Sequence, residues 1–199
     1  KVGVFQYSAP HARELMNPMT MMELTEQLVR NFNPESQDPE IQANTRLLQD
    51  LDSFVAPMTN PDGTRFALYD DPMWRKNRSP VEGGKIGVDI NRNYPYDWRP
   101  SDKPASQTYS GSGPASEAET QAILKVVENH PNIRYVVDWH SHGQEIRRPL
   151  GISQTDSARY DELHNRVSRA IQSVAGNRYA PVISEVVHGT SDDHFYHVH

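Results

Sequence analysis

Apolar positions fall in short blocks separated by polar, Gly- and Pro-containing stretches. Residues 1–7 carry Val2, Val4 and Phe5, a β-prone set that predicts a strand. Ser8, Ala9 and Pro10 break it. From about 14 to 31 the period changes to that of a helix, through Leu15, Met19, Met22, Leu24 and Leu28, with Pro18 in its first turn. After a polar loop at 33–37, a second helix is predicted over 39–50, with Pro39 opening it and Asp38 capping it. Residues 51–58, centred on Phe54 and Val55, read as a buried strand. A helix is predicted over 116–129, where Ser116 and Glu119 form a capping box ahead of Ile123, Val126 and Val127. Val136 and Val137 centre a strand over 133–139, and a last helix is expected over 156–175. Strands that alternate with helices predict an α/β sheet covered by helices on both faces. In such sheets ligands bind beyond the carboxyl ends of the strands.

Between residues 60 and 112 no period holds. The stretch is rich in Gly, Pro, Asn, Asp and Arg; long irregular segments inside compact domains are usually functional or disordered, and its Arg and aromatic content argues for functional. With 199 residues the chain has room for one domain with a sizeable core. Its net charge of -6 argues against a nucleic-acid partner. No apolar run approaches the roughly 20 residues of a membrane helix. There is no cysteine, so any metal must be held by His, Asp or Glu. The chain opens inside a strand with no visible signal peptide and stops just after Phe195–Tyr196, which leads us to expect further sequence on both sides.

Two histidines follow predicted strands at once: His11 after the first, His140 after the strand ending at Trp139. Both stand where an α/β sheet places its ligands. Glu14, three residues beyond His11, can turn its side chain to the same point. Two imidazoles and a carboxylate form a catalytic zinc set with the fourth position open to water. The chain has nine histidines, so a His-x-x-Glu pair alone says little, and position is what gives this one meaning. Arg75 and Arg92 lie in the irregular stretch. Guanidinium forks suit a carboxylate or a developing oxyanion, although either arginine alone is more often a loop ion pair. Asn60-Pro61-Asp62-Gly63 reads as a plain turn.

Taken in order, HARE at 11–14, NPDG at 60–63, WRKNR at 74–78, GVDINRN at 87–93, SEAET at 116–120 and DWHSHGQ at 138–144 resemble the zinc carboxypeptidases of the carboxypeptidase A/B type. The resemblance runs from about Val4 to Tyr196. It implies one catalytic domain over 1–199, with a mixed, mostly parallel sheet between helices, incomplete at both ends. It also implies one Zn²⁺ held by His11, Glu14 and His140, with Asp89 orienting the first histidine. Arg75 matches the arginine that stabilises the oxyanion. Asn91 and Arg92 match the pair that holds a substrate's terminal carboxylate, and Arg13 an arginine lining the subsites. Asp192, in GTSDDHFY at 189–196, matches the floor of the side-chain pocket and implies a preference for Lys or Arg. The expected substrates are the C-termini of peptides and proteins, in a secreted or periplasmic setting.

The resemblance is not uniform. The family's proton-accepting glutamate lies downstream of position 199, and its substrate-covering tyrosine falls at Glu185, or at Tyr179 with a shift in register. His142 and His194 stand at positions that are commonly aromatic. Two other readings stay open: an amidohydrolase, deacylase or cell-wall peptide hydrolase that shares the zinc set on the same fold, and a non-catalytic binding or regulatory relative that keeps the fold, with or without the metal.

Overall fold

The computed structural model describes residues 1–183 and 187–198. Its centre is a parallel sheet of three strands, β1 (Val2–Ser8), β2 (Leu51–Ala56) and β5 (Ile133–Trp139), in the order β2-β1-β5. Phe5 pairs with Phe54 on one side of β1 and with Val136 on the other. Strand alternation then sorts the side chains of β1. Phe5 and Tyr7 point into a core made with Tyr94 and with Ile123, Leu124 and Val127 of α4 (Ala118–Asn129). Val4 and Gln6 point the other way. There they share a small cavity with Leu28 of α1 (Met16–Arg30) and with Leu47 and Leu48 of α2 (Pro39–Asp50). Helices thus cover both faces, as the alternation of elements predicts.

Two further helices, α3 (Pro61–Tyr69) and α5 (Gln154–Ala175), and two minor sheets complete the described fold, together with α6 (Ser191–Val198). The pair β3 (Pro80–Val81) and β4 (Lys85–Ile86) is antiparallel, and β6 (Glu145–Arg148) pairs parallel with β7 (Ala180–Ile183). Asp38 caps α2 as expected, accepting from Glu40 N at 2.8 Å. Ser153 caps α5, which therefore begins two residues before the expected start.

Two sequence expectations need correction. The capping box of α4 does not form, because both of its side chains are taken by the irregular stretch. Ser116 Oγ accepts from Asn93 Nδ2 at 3.0 Å, and Glu119 accepts from Asn77 Nδ2 at 3.1 Å. The N-cap is Glu117, with no side-chain cap bond. Nor is 60–63 a plain turn. It is the start of α3, with Asn60 at the cap accepting from Gly63 N at 3.0 Å and Pro61 in the first turn. Asn60 is fully buried and its amide donates to Pro10 O at 3.0 Å and Lys76 O at 3.2 Å. One side chain therefore ties the backbone beside His11 to the backbone beside Arg75. Asn60→Ala would remove a helix cap and strand two buried carbonyls. It is expected to cost about 2–4 kcal/mol in chemical denaturation. A loss near zero would mean that water can replace the amide.

Candidate metal centre

All three strands of the central sheet run the same way, and both histidines emerge from the same end. Beyond β1 the chain kinks at Ala9, whose φ of 55° is unusual for a residue with a Cβ, and delivers His11. Thr59 fastens this end of the strand, its N–H and hydroxyl both donating to Ser8 O. Ala12 N donates to Arg75 O at 2.9 Å, and Glu14 N to His11 O at 3.1 Å in a tight turn. That turn faces Glu14 back towards His11. Next door β5 ends at Trp139, whose carbonyl accepts from Asn17 of α1 at 3.2 Å, and His140 follows.

The three side chains meet. His11 Nδ1 lies 2.7 Å from Glu14 Oε1, and His140 Nδ1 lies 3.0 Å from His11 Nδ1 and 3.1 Å from Glu14 Oε2. One ligand atom from each falls within 4.8 Å of the others. The second nitrogen of each ring faces a carboxylate: His11 Nε2 is 3.1 Å from Asp89 Oδ1, and His140 Nε2 is 3.0 Å from Asp138 Oδ2. Neutral imidazoles that donate from Nε2 expose bare lone pairs at Nδ1. Two such lone pairs and a carboxylate oxygen converging on one spot would suit a cation between them. The donor set, two imidazole nitrogens and one carboxylate without sulfur, is that of a three-ligand zinc site with a fourth position open.

Asp89 is completely buried and has no vacant side. Besides His11 it accepts from Asn91 N at 3.1 Å and, on Oδ2, from Arg75 Nε at 3.0 Å and Nη2 at 2.9 Å. Burial opposes its charge, but His11, then Arg75 and Arg92, hold the carboxyl well below the usual range. Burial pulls the Arg92 guanidinium down, while Asp89 and Asp192 support its charge and Arg75 and Arg147 oppose it. Arg92 also donates to Asn91 O. Arg13 donates to Met73 O at 3.2 Å.

A family model for zinc carboxypeptidases, peptidase M14, matches residues 1–199. The chain belongs to the zinc carboxypeptidase family. It is 34% identical over 197 residues to a metallocarboxypeptidase A-like protein of Trichophyton verrucosum, covering 96% of this chain and 42% of that protein. To metallocarboxypeptidase A of Trichophyton tonsurans it is 32% identical over 209 residues, covering 98% and 48%. The chain thus spans about half the length of the curated relatives it matches. Among solved structures, thrombin-activatable fibrinolysis inhibitor superposes with a TM-score of 0.87 at 27% identity, over 98% of this chain and 51% of that one. Carboxypeptidase A from Helicoverpa armigera gives 0.81 at 24%, over 97% and 48%, which speaks for the fold.

In this zinc carboxypeptidase chain the candidate residues fall into one region. His11, Glu14 and His140 share a point, Arg75 reaches it through Asp89, and Arg92 borders Asp89. Asn91 joins them to α6: its Oδ1 accepts from Ser191 N at 2.9 Å, and its Nδ2 lies 3.3 Å from His140 Nε2. Asp192 follows Ser191 in the first turn of α6. Glu185 lies outside the described residues. Tyr179 leads into β7, with its carbonyl accepting from Ser168 Oγ at 2.6 Å. His194 is buried, accepts from Tyr96 N at 3.3 Å and packs beside Tyr94, whereas His142 is exposed.

Asp138 and Ser191 escaped the sequence reading. The signal is the parity of β5: Asp138 and His140 lie two residues apart and share one side of the strand, which sets a carboxylate next to a candidate ligand. Asp138 Oδ2 accepts from Ser191 Oγ at 2.7 Å as well as facing His140. Beneath it lies the buried pair Tyr7 and Tyr94, whose hydroxyls are 3.0 Å apart. Burial, followed by the Asp138 charge, pushes both phenols above their usual range.

Proposed function

We propose that this chain carries the zinc site and the substrate anchor of a metallo-exopeptidase, which removes the last residue from peptides and proteins. The observation behind the reading is the grouping around Asp89, a single buried carboxylate shared by the ligand His11 and by Arg75, with Arg92 beside it. A metal site and two cations within reach of one another suit a substrate that brings a scissile carbonyl and a free terminal carboxylate together.

His11, Glu14 and His140 would hold the zinc. When bound, it would polarise the carbonyl and lower the pKa of its water to about 7. Arg75 keeps Nη1 unused by Asp89 and would turn it to the developing oxyanion. Arg92 would grip the carboxylate through paired, charge-assisted hydrogen bonds, with Asn91 alongside. Asp192 would sit by the terminal side chain and favour Lys or Arg. The glutamate that takes the water's proton is assigned by family resemblance to a position outside these 199 residues, so turnover is to be measured on a polypeptide that includes it.

Peptides matched in sequence, with free or amidated C-termini, separate this reading from an amidohydrolase on the same fold. Only an exopeptidase requires the free carboxylate. Arg75→Ala is expected to lower kcat by about 10²–10³, with a much smaller effect on KM and with zinc content unchanged. Loss of zinc in that variant would instead make Arg75 a support for Asp89 and His11.

A further inference from the structure

We propose that Asp138 is a positioning residue for His140: it fixes the imidazole with Nε2 protonated and Nδ1 bare, and through Ser191 it locks that choice to the start of α6. The inference deepens the metal-site reading above and rests on it.

The argument turns on which group donates at His140 Nε2. Two neighbours compete there, Asp138 Oδ2 at 3.0 Å and Asn91 Nδ2 at 3.3 Å. The Asn91 amide cannot be flipped to help, because its Oδ1 is committed to Ser191 N at 2.9 Å. Its Nδ2 can therefore only donate. If it won, Nε2 would accept, the ring proton would sit on Nδ1, and His140 would offer no lone pair to Glu14 and His11. Asp138 decides otherwise. An ionised carboxylate only accepts, and its hydrogen bonds are roughly twice as strong as those between neutral groups. The shorter contact and the charge both favour Nε2–H donating to Asp138.

Asp138 is itself held. Its side chain is 11% exposed at the end of β5, and Ser191 Oγ donates to the same Oδ2 at 2.7 Å. Ser191 is buried and opens α6. Its N–H orients Asn91 while its hydroxyl orients Asp138, so one residue controls both neighbours of His140 Nε2. Each zinc-site histidine thus has its own carboxylate, Asp89 for His11 and Asp138 for His140. Partners of this kind fix ring tautomer and orientation.

The test reads zinc affinity by competition with a chelator, which does not depend on turnover. Asp138→Asn keeps the shape but can donate to Nε2 and so favours the wrong tautomer. It is expected to weaken zinc about 10–100-fold, and Asp138→Ala should weaken it no more than that. Ser191→Ala should move affinity the same way by less. Unchanged affinity in Asp138→Asn would overturn the proposal. Should the variants fail to fold, nitrogen-15 spectra of the zinc-loaded parent decide. A proton on His140 Nε2 supports the assignment, and one on Nδ1 removes it. A parent that takes up no zinc overturns this inference together with the metal site. A parent that binds zinc but needs no free carboxylate overturns only the exopeptidase reading.

Discussion

Alanine at His140 is expected to bring zinc content from about one ion per chain to near zero, and to abolish hydrolysis with it. His140 supplies one of three ligand atoms that lie within 4.8 Å of one another. Only two protein donors would remain, on residues three apart in one turn. The same ligand makes uptake sensitive to pH. Burial works against charge on His140, but Asp138 and Glu14 together raise it to about 10. Below that pH the imidazole of the metal-free protein carries a proton that zinc must displace. Apparent affinity should therefore rise about tenfold per pH unit from neutrality towards 10, with about one proton released per ion bound. The sign is fixed: acid favours release of zinc, and alkali favours uptake until the imidazole is neutral without help. Titrations in buffers of different ionisation enthalpy count the proton. Full zinc stoichiometry in His140→Ala would reassign the site.

The parts of this site that could be read from the sequence are those placed by periodic elements. His11 and His140 each follow a strand with a clear apolar pattern, and parallel strands that share a sheet must end on the same side. Where periodicity is short, the reading failed. The helix α3 has nine residues with Gly63 among them, and its start reads as a turn in the sequence, although Asn followed by Pro is also a helix-opening pair. Gly63 is required there because a Cβ would come within 2.4 Å of Asn60 Oδ1, a contact visible only once α3 is packed. The capping box on α4 was locally sound. It lost to Asn77 and Asn93, which arrive from about 40 and 20 residues away in the chain and satisfy buried carboxylates and carbonyls that a local rule cannot count. The strand β6 escaped because Glu145-Ile146-Arg147-Arg148 has no apolar alternation, and α6 because eight residues hold little more than two turns. The role of Ser191 depends on a contact across 53 residues, which no spacing announces.

The largest effect on substrate choice is expected at Arg92. Amidating a peptide's C-terminus should abolish cleavage whatever the last residue is, because the guanidinium would then face a group that carries no charge. Arg92 is well placed to be an anchor. It is partly buried beside Asp89, and burial raises the value of any anion brought to it. Losing one partner of a buried, hydrogen-bonded charge pair costs about 2–5 kcal/mol, so Arg92→Ala should lower kcat/KM by roughly 30- to several-thousand-fold. Asp192 should govern the other end of the choice. It stands two residues before His194, in the first turn of α6, and its charge reaches Arg92. Asp192→Ala should shift preference from terminal Lys or Arg towards apolar residues and leave the need for a free carboxylate intact. The two residues can be judged separately on one peptide panel. Equal cleavage of amidated and free peptides would remove Arg92 as the anchor and favour the amidohydrolase. Dependence on the free carboxylate with indifference to Lys and Arg would overturn only Asp192, and would leave the anchor where Arg92, Asn91 and Asp89 put it.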